Sequence, residues 1–143
     1  MEHIKHLFYI NAESKIVYNA LTTQTGLAGW WTTEVEAQAK KGFLIKFHFG
    51  DEFHPKMRIE LLIPNKEIHW TCEDGESEWI STKIKFILEK KDNRTLLHFS
   101  HENWAAQTEF YASCNFNWAF YLTSLKNLCE KGKGLPFPLS VEG

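Results

Sequence analysis

Seven histidines and three cysteines are the side chains here best suited to metal binding or nucleophilic chemistry, so their spacing is weighed first. His98 and His101 stand three residues apart on a segment whose alternation reads as a strand. Residues three apart on a regular strand point to opposite faces, so this pair cannot share an ion. His48 and His54 flank the turn Gly50-Asp51-Glu52, but no third ligand stands at a spacing that completes a site. Cys72, Cys114 and Cys129 are an odd set without CxxC spacing, which points to free buried thiols and away from a disulfide framework or zinc. Catalysis needs a nucleophile beside a base, or opposed carboxylates. The acidic set Glu73, Asp74, Glu76 and Glu78 instead falls on a hairpin expected to face water, so no catalytic group, metal or cofactor is expected.

Aromatic side chains are the abundant resource: eleven Phe, six Trp and four Tyr exceed what an ordinary core of this size requires, leaving a cavity or an interface to use the surplus. Parity and helical spacing place Phe47, Trp70, Phe86 and Phe99 on the inner face of a sheet and Phe110, Cys114 and Trp118 on the inner face of a final helix. Together they form a candidate pocket for a small, largely apolar molecule. His101 shares the inward parity of Thr95, Leu97 and Phe99, and with Thr82 is the candidate for orienting a polar end of the ligand. Trp30 and Trp31 are adjacent, so one ring is expected inside and the other over the cavity rim.

The elements that must position these residues follow from the hydrophobic pattern. His3 to Ile10 reads as a strand; Ser14 to Leu21 and Gln24 to Trp31 read as short helices, the first capped by Ser14, with Gly26 and Gly29 allowing close backbone approach. Inward rows of period two then recur: Phe43, Ile45, Phe47 and Phe49; Met57, Ile59, Leu61 and Ile63; Ile68, Trp70 and Cys72; Ile80, Thr82, Ile84, Phe86 and Leu88; Thr95, Leu97, Phe99 and His101. Asp74-Gly75 and Asp92-Asn93 supply hairpin turns. A helix from Thr108 to Lys131 carries Phe110, Cys114, Trp118, Tyr121, Leu125 and Leu128 at steps of three and four, and Gly132 ends it. The plan is α+β: a strand, two short helices, six further antiparallel strands and a long C-terminal helix gripped by a curved sheet. Residues 1–134 are expected to form one domain, and residues 135–143 an extended or mobile tail.

Overall charge narrows the partners. Sixteen Lys and Arg against eighteen Asp and Glu give −2, so nucleic acid is not expected, and the basic set Lys83, Lys85, Lys90, Lys91 and Arg94 reads as a solvated face. No apolar run approaches the roughly 20 residues that span a bilayer. The start Met1-Glu2-His3-Ile4-Lys5-His6 lacks the pattern of a signal peptide, giving the expectation of a cytoplasmic protein.

Three stretches carry a family likeness: Ile10-Asn11-Ala12-Glu13-Ser14-Lys15-Ile16-Val17-Tyr18-Asn19-Ala20-Leu21-Thr22, Gly26-Leu27-Ala28-Gly29-Trp30-Trp31, and Gly42-Phe43-Leu44-Ile45-Lys46-Phe47. With Thr95 to His101, Trp118, Leu122, Leu125, Lys126 and the ending Glu130-Lys131-Gly132-Lys133-Gly134, the chain from Ile4 to Phe137 resembles the SRPBCC, or START-like, superfamily. Within it, the sequence resembles the subfamily related to the activator of heat-shock protein 90 ATPase. The resemblance implies a helix-grip fold of about seven strands with a binding cavity, and no one reaction, since such folds serve lipid carriers, hormone receptors, cyclases and chaperone regulators. Met57 departs from a family pattern that often has Gly there and is expected to reshape the cavity mouth. A non-enzymatic ligand-binding module is the first expectation. A chaperone-ATPase-regulating interaction module is the second, and a polyketide cyclase-like enzyme the third. Self-association through an exposed aromatic patch is a further expectation.

Overall fold

Alternating burial turns the sequence rows into strands. The computed structural model describes residues 1–142. It contains Glu2–Ile10 (β1), Ser14–Thr22 (α1), Gln24–Trp30 (α2), Glu34–Glu36 (β2), Leu44–His48 (β3), Lys56–Ile63 (β4), Glu67–Asp74 (β5), Lys83–Lys91 (β6), Arg94–Trp104 (β7), Glu109–Lys131 (α3) and Leu139–Glu142 (α4). The seven strands form one antiparallel sheet in the order β1-β7-β6-β5-β4-β3-β2. β1 joins the far side of β7 because α1 and α2 carry the chain across the sheet's inner face. This is the helix-grip arrangement the sequence implied.

Local chemistry fixes each junction. Asp92 adopts the left-handed conformation at φ 58°, so Lys91 pairs with Arg94 across a two-residue turn. Thr108 caps α3, its Oγ1 accepting from Tyr111 N at 3.1 Å, and Gly132 at φ 81° ends the helix. A Cβ at Gly26 would stand 2.6 Å from Ala20 Cα, so only glycine lets α2 cross α1 so closely. Ser14 does not cap α1: it is the first helical residue, and its hydroxyl bonds Thr95 Oγ1 at 3.0 Å.

Several rows depart from strict alternation. A bulge between Ile59 and Leu61 flips the parity of β4, so Leu62 pairs with Ile68 and packs on the core while Ile63 is exposed. β2 has only three residues, too short for a period to reveal. β6 starts at Lys83 and not at Ile80, because a turn with Ser81 at φ 73° leaves Ile80 exposed and sends Trp79 inward. A second bulge, around Asn103 at φ 72°, puts both His101 and Trp104 on the inner face. On α3 the enclosed stripe is Cys114, Trp118, Leu122, Ser124 and Leu125, with Phe110, Tyr121 and Leu128 partly covered at its margins.

The segment after α3 is folded back onto the body. Phe137 N donates to Trp31 O at 2.8 Å and Thr33 N to Phe137 O at 2.9 Å, forming a parallel bridge beside α2. The Tyr121 hydroxyl bonds Ser140 Oγ at 2.8 Å. These bonds hold Phe137 beside α2 and Ser140 against α3.

Candidate functional site

The aromatic residues meet between α3 and the sheet, but they do two different things there. Trp30, Phe47, Trp70 and Phe86 have no exposed surface, and Phe99 is 2% exposed. Their rings touch in tilted and edge-to-face pairs: Trp70–Phe86 at 5.1 Å, Phe86–Phe99 at 5.4 Å and Phe47–Trp70 at 5.8 Å between centroids. Trp30 is held further by its indole N–H donating to Ala20 O at 2.9 Å. This half of the interface is enclosed and closed to solvent.

His101 and Thr82 sit behind that packing with their polar atoms engaged. The Trp118 indole N–H donates to His101 Nδ1 at 3.1 Å, which fixes the neutral ring with its proton on Nε2. Nε2–H then donates to Thr82 Oγ1 at 2.8 Å, and the Thr82 hydroxyl donates to Trp79 O at 2.6 Å. Burial pushes the His101 pKa down to about 3, so the ring stays uncharged in this chain of bonds. The network orients Trp118 and anchors the turn that carries Trp79.

Toward the other end the rings part. Trp31, Phe49, Phe53, Trp79, Phe110 and Trp118 wall an open pocket of about 350 Å³, with Cys114, Asn117 and Tyr121 from α3, Val141 from the C-terminal segment, and Glu52 and Glu76 completing its lining. Trp31 is the hinge between the two halves: its ring lies 4.5 Å from Phe47 on the packed side and 4.9 Å from Trp118 and 5.2 Å from Phe49 on the open side. The backbone bridge from Phe49 N to Phe53 O, at 2.8 Å, sets two rings on one flank, and Phe53 meets Trp79 edge-on at 5.1 Å.

Of the residues singled out from sequence, Trp31, Phe110, Cys114 and Trp118 line the open pocket. Trp30, Phe47, Trp70, Thr82, Phe86, Phe99 and His101 lie in the enclosed interior behind it. Trp30 and Trp31 are both buried, at 0% and 3% exposure, and Met57 is enclosed opposite Cys72, away from the pocket. Sequence reasoning missed Trp79 and Phe53. A tryptophan set among Glu76, Glu78 and Ile80 was the available signal, since so large a ring is rarely left in water on a turn.

Two buried groups bear on what the pocket can do. Burial pushes the Cys114 thiol up to about 11, so at neutral pH it is not a thiolate nucleophile. The Trp79 indole N–H has no hydrogen-bond partner, and its nitrogen, like those of Trp70 and Trp104, is shielded from solvent. Among the described residues, no group of His, Cys, Asp and Glu gathers into a metal site. His98 instead bonds Glu89 Oε1 at 3.1 Å on the outer face.

Residues 11–130 match the model of the activator of Hsp90 ATPase homolog 1-like proteins. The chain belongs to that family. A search among curated proteins returns no match. Among solved structures, the Aha1 dimer from Colwellia psychrerythraea is 40% identical, with a TM-score of 0.86, covering 94% of this chain and 100% of its own. SSP2350 from Staphylococcus saprophyticus is 16% identical at a TM-score of 0.78, over 96% of this chain and 99% of its own. CalU16 from Micromonospora echinospora is 18% identical at 0.74, over 98% and 82% respectively. The last two share the fold; the first shares the family as well. Within this SRPBCC-type family the helix-grip framework is common, and the lining of the pocket is where a member's chemistry must be sought.

Proposed function

We propose that the chain is a non-enzymatic binding module that holds one small, largely apolar molecule in the pocket between α3 and the mouth of the sheet. The supporting observation is the contrast within one interface: rings closed to solvent at one end give way to about 350 Å³ of open space between ring walls at the other. That volume lies at the small end of ligand pockets, which run from about 300 to 1,000 Å³, and suits a body of one or two fused rings. Burial of apolar surface against the ring walls supplies the affinity. A cytoplasmic setting fits the free state of Cys72, Cys114 and Cys129.

The test is native mass spectrometry of the purified protein with 2-acetonaphthone, a flat neutral probe with one carbonyl oxygen. One bound probe per chain is expected, and Cys114→Phe, which projects a ring into the pocket, should remove it while leaving thermal unfolding cooperative. Undiminished binding in that variant would place the probe elsewhere and overturn the reading.

A second reading, an interaction module, draws on a different surface. Phe116 is 77% and Phe120 40% exposed, one turn apart on α3, and the Colwellia relative is described as an Aha1 dimer. An isologous contact through this face would cover both rings. Sedimentation should then show a dimer that Phe116→Glu dissociates; a monomer at all concentrations would remove this reading. Regulation of a heat-shock chaperone ATPase rests on the family likeness, and an unchanged chaperone ATPase rate in the presence of the protein would end it.

A further inference from the structure

The pocket lining is asymmetric in charge. Among the described residues, Glu52 and Glu76 are the charged side chains in it, both exposed carboxylates, and no lysine, arginine or histidine lines it. The same two carboxylates also border an adjoining groove lined by Lys46, His48, His54 and Lys56, where Lys56 pairs with Asp74 at 3.4 Å and His54 bonds Gly50 O at 2.7 Å. The walls add to the same sign, because ring faces carry negative electrostatic potential and attract cations. Deeper in, Trp79 is 3% exposed and its indole nitrogen is shielded from solvent, as are those of Trp70 and Trp104, so the pocket meets the ring of Trp79 and not its N–H.

We propose that the pocket selects an organic cation: a flat apolar body against the rings and an ammonium group at the rim beside Glu52 and Glu76. This rests on the binding-module reading and adds the ligand's charge class to it. A carboxylate or sulfate on the same body meets two carboxylates and the ring faces, all unfavourable, and finds no cation in the lining.

The experiment compares three probes with one ring system, 2-naphthylmethylammonium, 2-naphthoate and neutral 2-acetonaphthone, by quenching of tryptophan fluorescence. At low ionic strength the ammonium probe should bind about tenfold more tightly than the naphthoate, the modest preference expected of solvent-accessible carboxylates. The preference should shrink in high salt. It should also vanish in the Glu52→Gln, Glu76→Gln double variant, whose changes lie on the exposed rim and leave the core untouched. Equal binding of the two charged probes, or a preference that survives in the double variant, overturns the charge assignment. If 2-acetonaphthone binds while the charged pair shows no discrimination, only this inference fails. If none of the three binds, the pocket reading fails with it.

Discussion

The two ends of the helix–sheet interface are built from the same kinds of side chain and end in different states. Trp70, Phe86 and Phe47 are fully enclosed, whereas Trp31, Trp79, Trp118 and Phe53 stand around open space. Ring count does not separate them; what closes each end does. Over the packed end lie α1 and α2, whose Val17, Leu21, Leu27 and Trp30 are buried, with α1 set against β6 and β7. The pocket end is closed by the Gly50–Phe53 turn, the turn carrying Trp79 and the C-terminal segment, none of which presents a continuous apolar face. A helix lid makes a core, and loop lids leave a cavity.

Replacing one ring at each end sharpens that contrast most. Trp70→Ala should cost about 3–5 kcal/mol in urea unfolding, as for large rings removed from packed cores. Phe53→Ala, at the half-covered pocket edge, should cost about 1 kcal/mol while weakening 2-acetonaphthone by roughly tenfold, since lost wall area falls on the ligand. Equal stability losses would erase the distinction.

The second effect belongs to the boundary. Folded His101 stays neutral down to about pH 3, whereas in the unfolded chain it takes a proton near 6.5. Between those values the unfolded state binds more protons, so this contribution is complete above the upper value and is lost as pH falls through the window. About 2 kcal/mol should disappear between pH 7 and 5 from this group. Urea unfolding of His101→Leu should show a correspondingly shallower pH slope; an unchanged slope would mean that the ring is not enclosed as described.

Smallest is the effect of the C-terminal segment. A chain ending at Leu135 loses the backbone bonds of Phe137 to Trp31 and Thr33, the Ser140 contact with Tyr121 and the Val141 wall. Unfolding free energy should fall by about 1–2 kcal/mol, and the naphthyl probe should dissociate several-fold faster. A truncated chain with unchanged probe kinetics would show that the segment does not help to close the pocket.

The sequence was most legible where a single physical rule acts. Rows such as Ile84, Phe86 and Leu88 obey the pleat, and Thr108 to Gly132 obeys helical period and capping, so the order of elements and the family follow from them. It was least legible where backbone irregularity redirects side chains. The bulge at Ile59–Leu61, the left-handed Ser81 and the left-handed Asn103 each overrule parity, and the last two deliver Trp79 and Trp104 to the interior. The candidate site was half-visible for the same reason. Parity tells which residues point inward, as Trp70 and Trp118 both do, but not whether the space between them is filled. That depends on the lids, and Phe53 and Trp79 come from turns that carry no period.

The most direct test of a cavity confined to one end is the set of six tryptophan indole N–H resonances in a proton–nitrogen correlation spectrum. On titration with 2-acetonaphthone, Trp79, Trp31 and Trp118, whose rings wall the pocket, should shift, and Trp30 and Trp70 should stay in place. Movement of Trp30 and Trp70 with Trp79 unmoved would contradict the account, because the probe would then be entering the enclosed end of the interface.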